Sequence, residues 1–122
     1  VDFDTLVSTA DVISLHVPLV DGTRNLINTE RIGQMSAGAV LINTSRGGIV
    51  DETALVAALR SGHLGGAAID VFVEEPLPAS TLFADCPNLI LTPHIAGVTA
   101  EANVRVSSMI ADAVIAAMKQ AN

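Results

Sequence analysis

Ala39-Val40-Leu41-Ile42-Asn43-Thr44 is a short aliphatic run that passes through Ser45-Arg46-Gly47-Gly48 into Asp51-Glu52 and a stripe of Leu55, Val56 and Leu59. Asp51 stands where an N-cap would, and Glu52 where an acid favours the first helical turn. Gly62 offers the left-handed position that ends helices. A second aliphatic run, Ala67 to Phe72, follows. Strand, helix and strand in that order predict a parallel βαβ unit. Both runs lack polar alternation, so the strands are expected to be covered on both faces.

The same alternation extends outward in both directions. Val12 to Val17 and Leu89 to Thr92 read as further strands. Asp4 to Ala10 and Thr29 to Met35 read as helices, the latter with Asn28 as N-cap and Gly38 at its exit. From Thr99 to Lys119 an amphipathic helix is expected, with Ala102, Val106, Met109, Ile110, Ala113 and Ala117 on one side. Glu101 and Arg105 lie four apart on the other side, positioned to pair. The class is therefore α/β with a mainly parallel sheet. Pro76 to Pro87 is the only long irregular stretch, and loops of that length often carry function.

Composition narrows the partners. The 122 residues favour one domain, and half of them are apolar, which excludes intrinsic disorder. With three Phe and no Tyr or Trp, the core must be Ala, Val, Ile and Leu. Thirteen acids against six bases, without aromatic platforms, argue against nucleic acid. The single Cys86 excludes an internal disulfide and a multi-cysteine metal site, and no metal is expected. No apolar run approaches the ~18 residues of a membrane span, and no signal-like segment is present, so a cytoplasmic setting is expected. The opening Val1-Asp2-Phe3-Asp4 reads as the interior of a longer protein.

In open α/β sheets ligands bind beyond the carboxyl ends of the strands. Those ends are His16-Val17-Pro18, Asn43 to Gly48, Asp70 to Pro76, and Thr92-Pro93-His94 to Gly97. Each delivers polar or ionisable groups to one edge. Adjacent strands lie only ~4.8 Å apart, so Arg46, Glu75 and His94 are expected to converge. An arginine fork binds a carboxylate or carbonyl oxygen. A histidine paired with a carboxylate is held ready to donate a proton. Reduction of a 2-oxo acid needs both, together with a hydride that no side chain supplies, which implies a nicotinamide cofactor.

The runs Leu41 to Gly48, Gly66 to Phe72 with Glu75-Pro76, Leu91 to Gly97, and Ile13 to Pro18 with Thr23 together resemble the D-2-hydroxyacid dehydrogenase family across essentially the whole chain. The resemblance implies the C-terminal half of a Rossmann-like doubly wound parallel sheet. It implies that Arg46 grips the substrate, that His94 is the acid in reduction, and that Glu75 pairs with His94 and holds it protonated. Asp70 would hold the nicotinamide carboxamide. Thr44, Ser45, Arg46 and the backbone from His94 through Ala96 to Gly97 would line the cofactor, with His16, Val17 and Pro18 bordering it. Glu74 is taken as structural and His63 as solvated. Glu75 also argues against the formate dehydrogenase branch.

No three glycines form Gly-x-Gly-x-x-Gly, so the phosphate-cradling half of the fold is absent. Residues 1–122 thus read as one partial domain whose last helix returns toward a substrate domain. NAD is the implied cofactor, with NADP left open because the ribose-binding strand is missing. The family implies a homodimeric parent acting on a small 2-oxo or 2-hydroxy acid. The first strand, without its usual neighbour, is expected to be an edge prone to pairing. Two other readings are an NAD-sensing corepressor-like module and a chain that is inactive in isolation.

Overall fold

The aliphatic runs assemble into one sheet whose neighbours are all parallel, in the order β1 (Val12–Leu15), β2 (Val40–Asn43), β3 (Gly66–Ile69) and β4 (Leu89–Leu91). This computed structural model describes residues 1–120, so the last two positions of the expected 1–122 unit lie outside the described residues. The helices are α1 (Phe3–Thr9), α2 (Thr29–Gln34), α3 (Glu52–Arg60) and α4 (Ala100–Gln120), with a 3-10 turn at Asp21–Thr23.

Local chemistry starts the helices where the sequence places them. The Asn28 side chain accepts from the Arg31 N–H at 3.0 Å, and Asp51 accepts from the Ala54 N–H at 3.0 Å. Asp2 caps α1 in the same way through Thr5. Gly62 takes a φ of +75° just past α3, a conformation that a Cβ would strain. The strands span fewer residues than the runs predict, and turns follow directly at the ends of β2 and β3. Asn43 donates to the Arg46 carbonyl and the Phe72 N–H donates to Glu75.

Leu55 and Leu59 of α3, Ile32 of α2 and Val7 of α1 are buried with Ile13, Leu41 and Ile69 of the sheet. Truncating such a Leu to Ala costs about 2–5 kcal/mol. The expected cover on both faces is corrected. The register row Ser14, Ile42, Ala68, Ile90 is half-buried in the middle and open at its ends, with Ile90 65% exposed. Sequential strand order with right-handed crossovers sends each connecting helix to the same side, so α2 and α3 both cover the opposite face. α4 buries no residue, its expected apolar side included, and the Glu101–Arg105 pair does not form. His63 is not solvated either: half-buried, its Nε2 donates to the Ile32 carbonyl at 2.8 Å and ties α3's exit to α2. No helix among the described residues is long and apolar enough to cross a membrane.

Candidate active site

Parallel pairing brings all four strand ends to one edge. At the end of β2, Asn43 is 2% exposed and builds the next turn. Its Oδ1 accepts from the Ser45 N–H at 3.1 Å and the Ser45 hydroxyl at 2.9 Å, while Nδ2 donates to the Arg46 carbonyl at 3.0 Å. The sequence reading passed over Asn43. Its signal is an amide closing an apolar run just before two hydroxyl residues. Gly47, next in the turn, packs directly on the Phe72 carbonyl, and a Cβ there would overlap it. The turn bearing Arg46 is thereby set against the turn leading to Glu75.

Asp70, buried at the end of β3, organises the neighbouring loop. Oδ1 accepts from the Thr92 hydroxyl at 2.6 Å and the Ile95 N–H at 2.9 Å, and Oδ2 accepts from the Ala96 N–H at 2.9 Å. Burial pushes its carboxyl up, but the hydrogen bonds from Thr92, Ala96 and Ile95 outweigh that and hold it below the usual carboxylate range. A carboxylate has about four acceptor positions, so these donors leave it little further capacity. Within the loop it anchors, His94 takes a φ of +55°.

That conformation presents His94 Nδ1 to Glu75 Oε2 at 2.8 Å. Glu75 Oε1 accepts from the Phe72 N–H at 2.9 Å. The His94 bond first, then the Phe72 N–H, holds the Glu75 carboxyl below its ordinary range, so it is ionised and can only accept. Nδ1 therefore carries a proton, and Nε2 is the ring nitrogen left to exchange one. Both side chains are part-exposed, at 46% and 36%. An exposed ion pair is worth about 0–1 kcal/mol, whereas a left-handed non-glycine residue costs on the order of 1–3 kcal/mol. Stability does not explain the arrangement. The pair opens onto a cavity of about 320 Å³ lined also by Phe72, Leu77, Leu91 and Thr92. Its wall is mainly apolar, with the histidine and carboxylate as the titratable groups.

Arg46 does not reach this pair. It is exposed, and its Nη1 donates to the Ser45 carbonyl at 2.6 Å. His16 is exposed, with Nε2 2.8 Å from the Ser14 hydroxyl, and Val17 is half-buried against the core. The Pro18 carbonyl accepts from the Thr23 hydroxyl. Thr44 and Ser45 are half-buried at the β2 end, while Ala96 and Gly97 are exposed. Glu74 is exposed as well. Cys86 is a free, half-buried thiol pushed up by burial, and no cluster among the described residues is arranged to hold a metal. The Thr44 and Ser45 hydroxyls and the exposed backbone of Ala96 and Gly97 lie at the same edge of the sheet as His94, groups of the kind that can hydrogen-bond the nicotinamide end of a dinucleotide. The nine glycines contain no pyrophosphate-binding turn.

Residues 1–96 match the sequence pattern of the D-isomer specific 2-hydroxyacid dehydrogenase, NAD binding domain. The (S)-sulfolactate dehydrogenase of Chromohalobacter salexigens is 57% identical over 108 residues, which is 88% of this chain and 35% of that protein. The glyoxylate reductase of Thermofilum pendens is 48% identical over 118 residues, 97% of this chain and 35% of that protein. Among solved structures, the NAD-dependent formate dehydrogenase of Staphylococcus aureus in complex with NAD superposes with a TM-score of 0.82 at 40% identity, covering 93% of this chain and 34% of that one. The chain thus spans about a third of the length of the curated relatives it matches.

Proposed function

The chain belongs to the D-isomer specific 2-hydroxyacid dehydrogenase family as part of its NAD-binding domain, and we propose that it carries the proton-transfer apparatus of a protein that interconverts a small 2-oxo acid and its 2-hydroxy acid. The observation that supports this most is the 2.8 Å contact of His94 Nδ1 with Glu75 Oε2 in the lining of the cavity. Bound NADH would supply the hydride to the carbonyl carbon of the substrate. His94 Nε2 gives its proton to the carbonyl oxygen as the hydroxyl forms, and takes it back in oxidation. Glu75, fixed by the Phe72 N–H, keeps the ring oriented and offsets the charge on it. Arg46 turns from the Ser45 carbonyl to the substrate carboxylate, which its planar fork suits.

Thr44, Ser45, Asp70 and the backbone of Ala96 and Gly97 are assigned to the nicotinamide end of NAD, with His16, Val17 and Pro18 bordering it. Asp70 does so through the acceptor capacity that its loop donors leave. We place the protein in the cytoplasm as a homodimer, with residues 1–122 forming the second half of its dinucleotide-binding domain. The NAD-sensing alternative leaves the Glu75–His94 pair without a task, since a sensor needs no proton donor.

The test is NADH oxidation by the full-length protein against a panel of 2-oxo acids, glyoxylate, hydroxypyruvate and sulfopyruvate among them, with Arg46→Ala and His94→Ala alongside. The proposal requires turnover that collapses in both variants. Tight NADH binding with no turnover on any 2-oxo acid would give the sensor reading the lead.

A further inference from the structure

Two consecutive backbone amides serve two different glutamates. The Phe72 N–H donates to Glu75 Oε1 at 2.9 Å, and the next one, on Val73, donates to Glu52 Oε1 at 2.7 Å. Glu52 opens α3, directly after the Asp51 cap, and lies 21 residues from Val73 in the chain. As a first-turn acid it needs no partner beyond the helix terminus. Instead its carboxylate crosses to the loop and is half-buried there. On the other side of the same segment, the Phe72 carbonyl is pressed against Gly47, the neighbour of Arg46.

We propose that Glu52 is a positioning residue for the Glu75–His94 pair: by holding the Val73 amide against Gly47 it fixes the direction of the 72–75 turn and, through it, the Glu75 carboxylate. The inference rests on the proton-transfer reading of that pair. Burial pushes the Glu52 carboxyl up and the Val73 amide opposes the shift, with Asp51 adding to it. Either protonation state keeps an oxygen that accepts from Val73. Val73 is 69% exposed, so water can replace Glu52 as its acceptor. Removing Glu52 therefore loosens the turn without leaving a buried donor unpaired. The consequence falls on geometry rather than on stability.

The experiment compares Glu52→Ala, Glu52→Ser and Glu52→Gln in the full-length protein. A displacement near 1 Å at a catalytic group can cost about 100-fold, and the two truncations are expected to lose about 10- to 100-fold in kcat on that basis. KM for NADH should stay within about threefold, since uniform cofactor binding is untouched. Glu52→Gln, which keeps an acceptor oxygen of the same reach, should restore most of the loss. The proton NMR signal of the His94 Nδ1–H, assigned by its disappearance in His94→Gln, should weaken in both truncations and return in Glu52→Gln. The signal is read without turnover, so it decides the inference even if no 2-oxo acid proves to be a substrate. Unchanged signal and kcat in the truncations would overturn it. So would a Glu52→Gln variant as impaired as Glu52→Ala, or two truncations that fail to fold.

Discussion

Asp70 and Glu75 are both carboxylates held below their ordinary range, yet their surroundings give them opposite work. Asp70 is buried and spends its oxygens on the loop that carries His94. Glu75 is open to solvent and spends one oxygen on its own turn and the other on the histidine. Asp70→Asn sets an amide donor against the Thr92–Ala96 donors, which should cost about 1–3 kcal/mol in chemical denaturation. Because the folded carboxyl lies low, its contribution is complete above about pH 4 and is lost as pH falls through the lower folded value. A stability profile of the Asn variant should lack that acid limb. If the two profiles run parallel, Asp70 is not the anchor described.

Gly47 marks the point at the scale of elements where the β2–α3 connection meets the loop after β3. Gly47→Ala forces the Phe72 carbonyl away and should destabilise by about 1–3 kcal/mol, as overpacking does, with turnover in the full-length protein falling as well. Asp51→Ala, a lost N-cap, should cost about 1 kcal/mol. Thermal unfolding of the two variants checks both values. The caps at Asn28 and Asp51, the stop at Gly62 and the four strands were legible in the sequence because each depends on residues within a few positions. The site was legible only as residue types at strand ends. The Asp70 bonds to Thr92, Ile95 and Ala96 span more than 20 positions, and no periodicity records them. Asn43 is the opposite case: its three bonds reach only two or three positions along the chain, so the amide that closes the apolar run before Thr44 and Ser45 was a local signal available in the sequence.

The described residues form a sheet with β1 at one edge and α2 and α3 on one face, and α4 buries none of its residues. A parallel sheet is normally covered on both faces, and an open edge of paired-strand backbone invites another chain. Residues 1–122 alone should therefore self-associate in light scattering, and a monodisperse monomer at high concentration would contradict that. Without a glycine-rich cradle for the pyrophosphate, the same sample should show no binding at micromolar NADH by fluorescence titration. The full-length protein carries the central claim, that the Glu75–His94 pair moves the proton in 2-oxo acid reduction. Its most direct test is kcat for His94→Gln against wild type on the best 2-oxo acid, with NADH affinity measured in parallel. The account predicts a loss of about 10²- to 10⁴-fold, the usual share of a general acid, at unchanged NADH affinity. A His94→Gln enzyme turning over within a few-fold of wild type would contradict it.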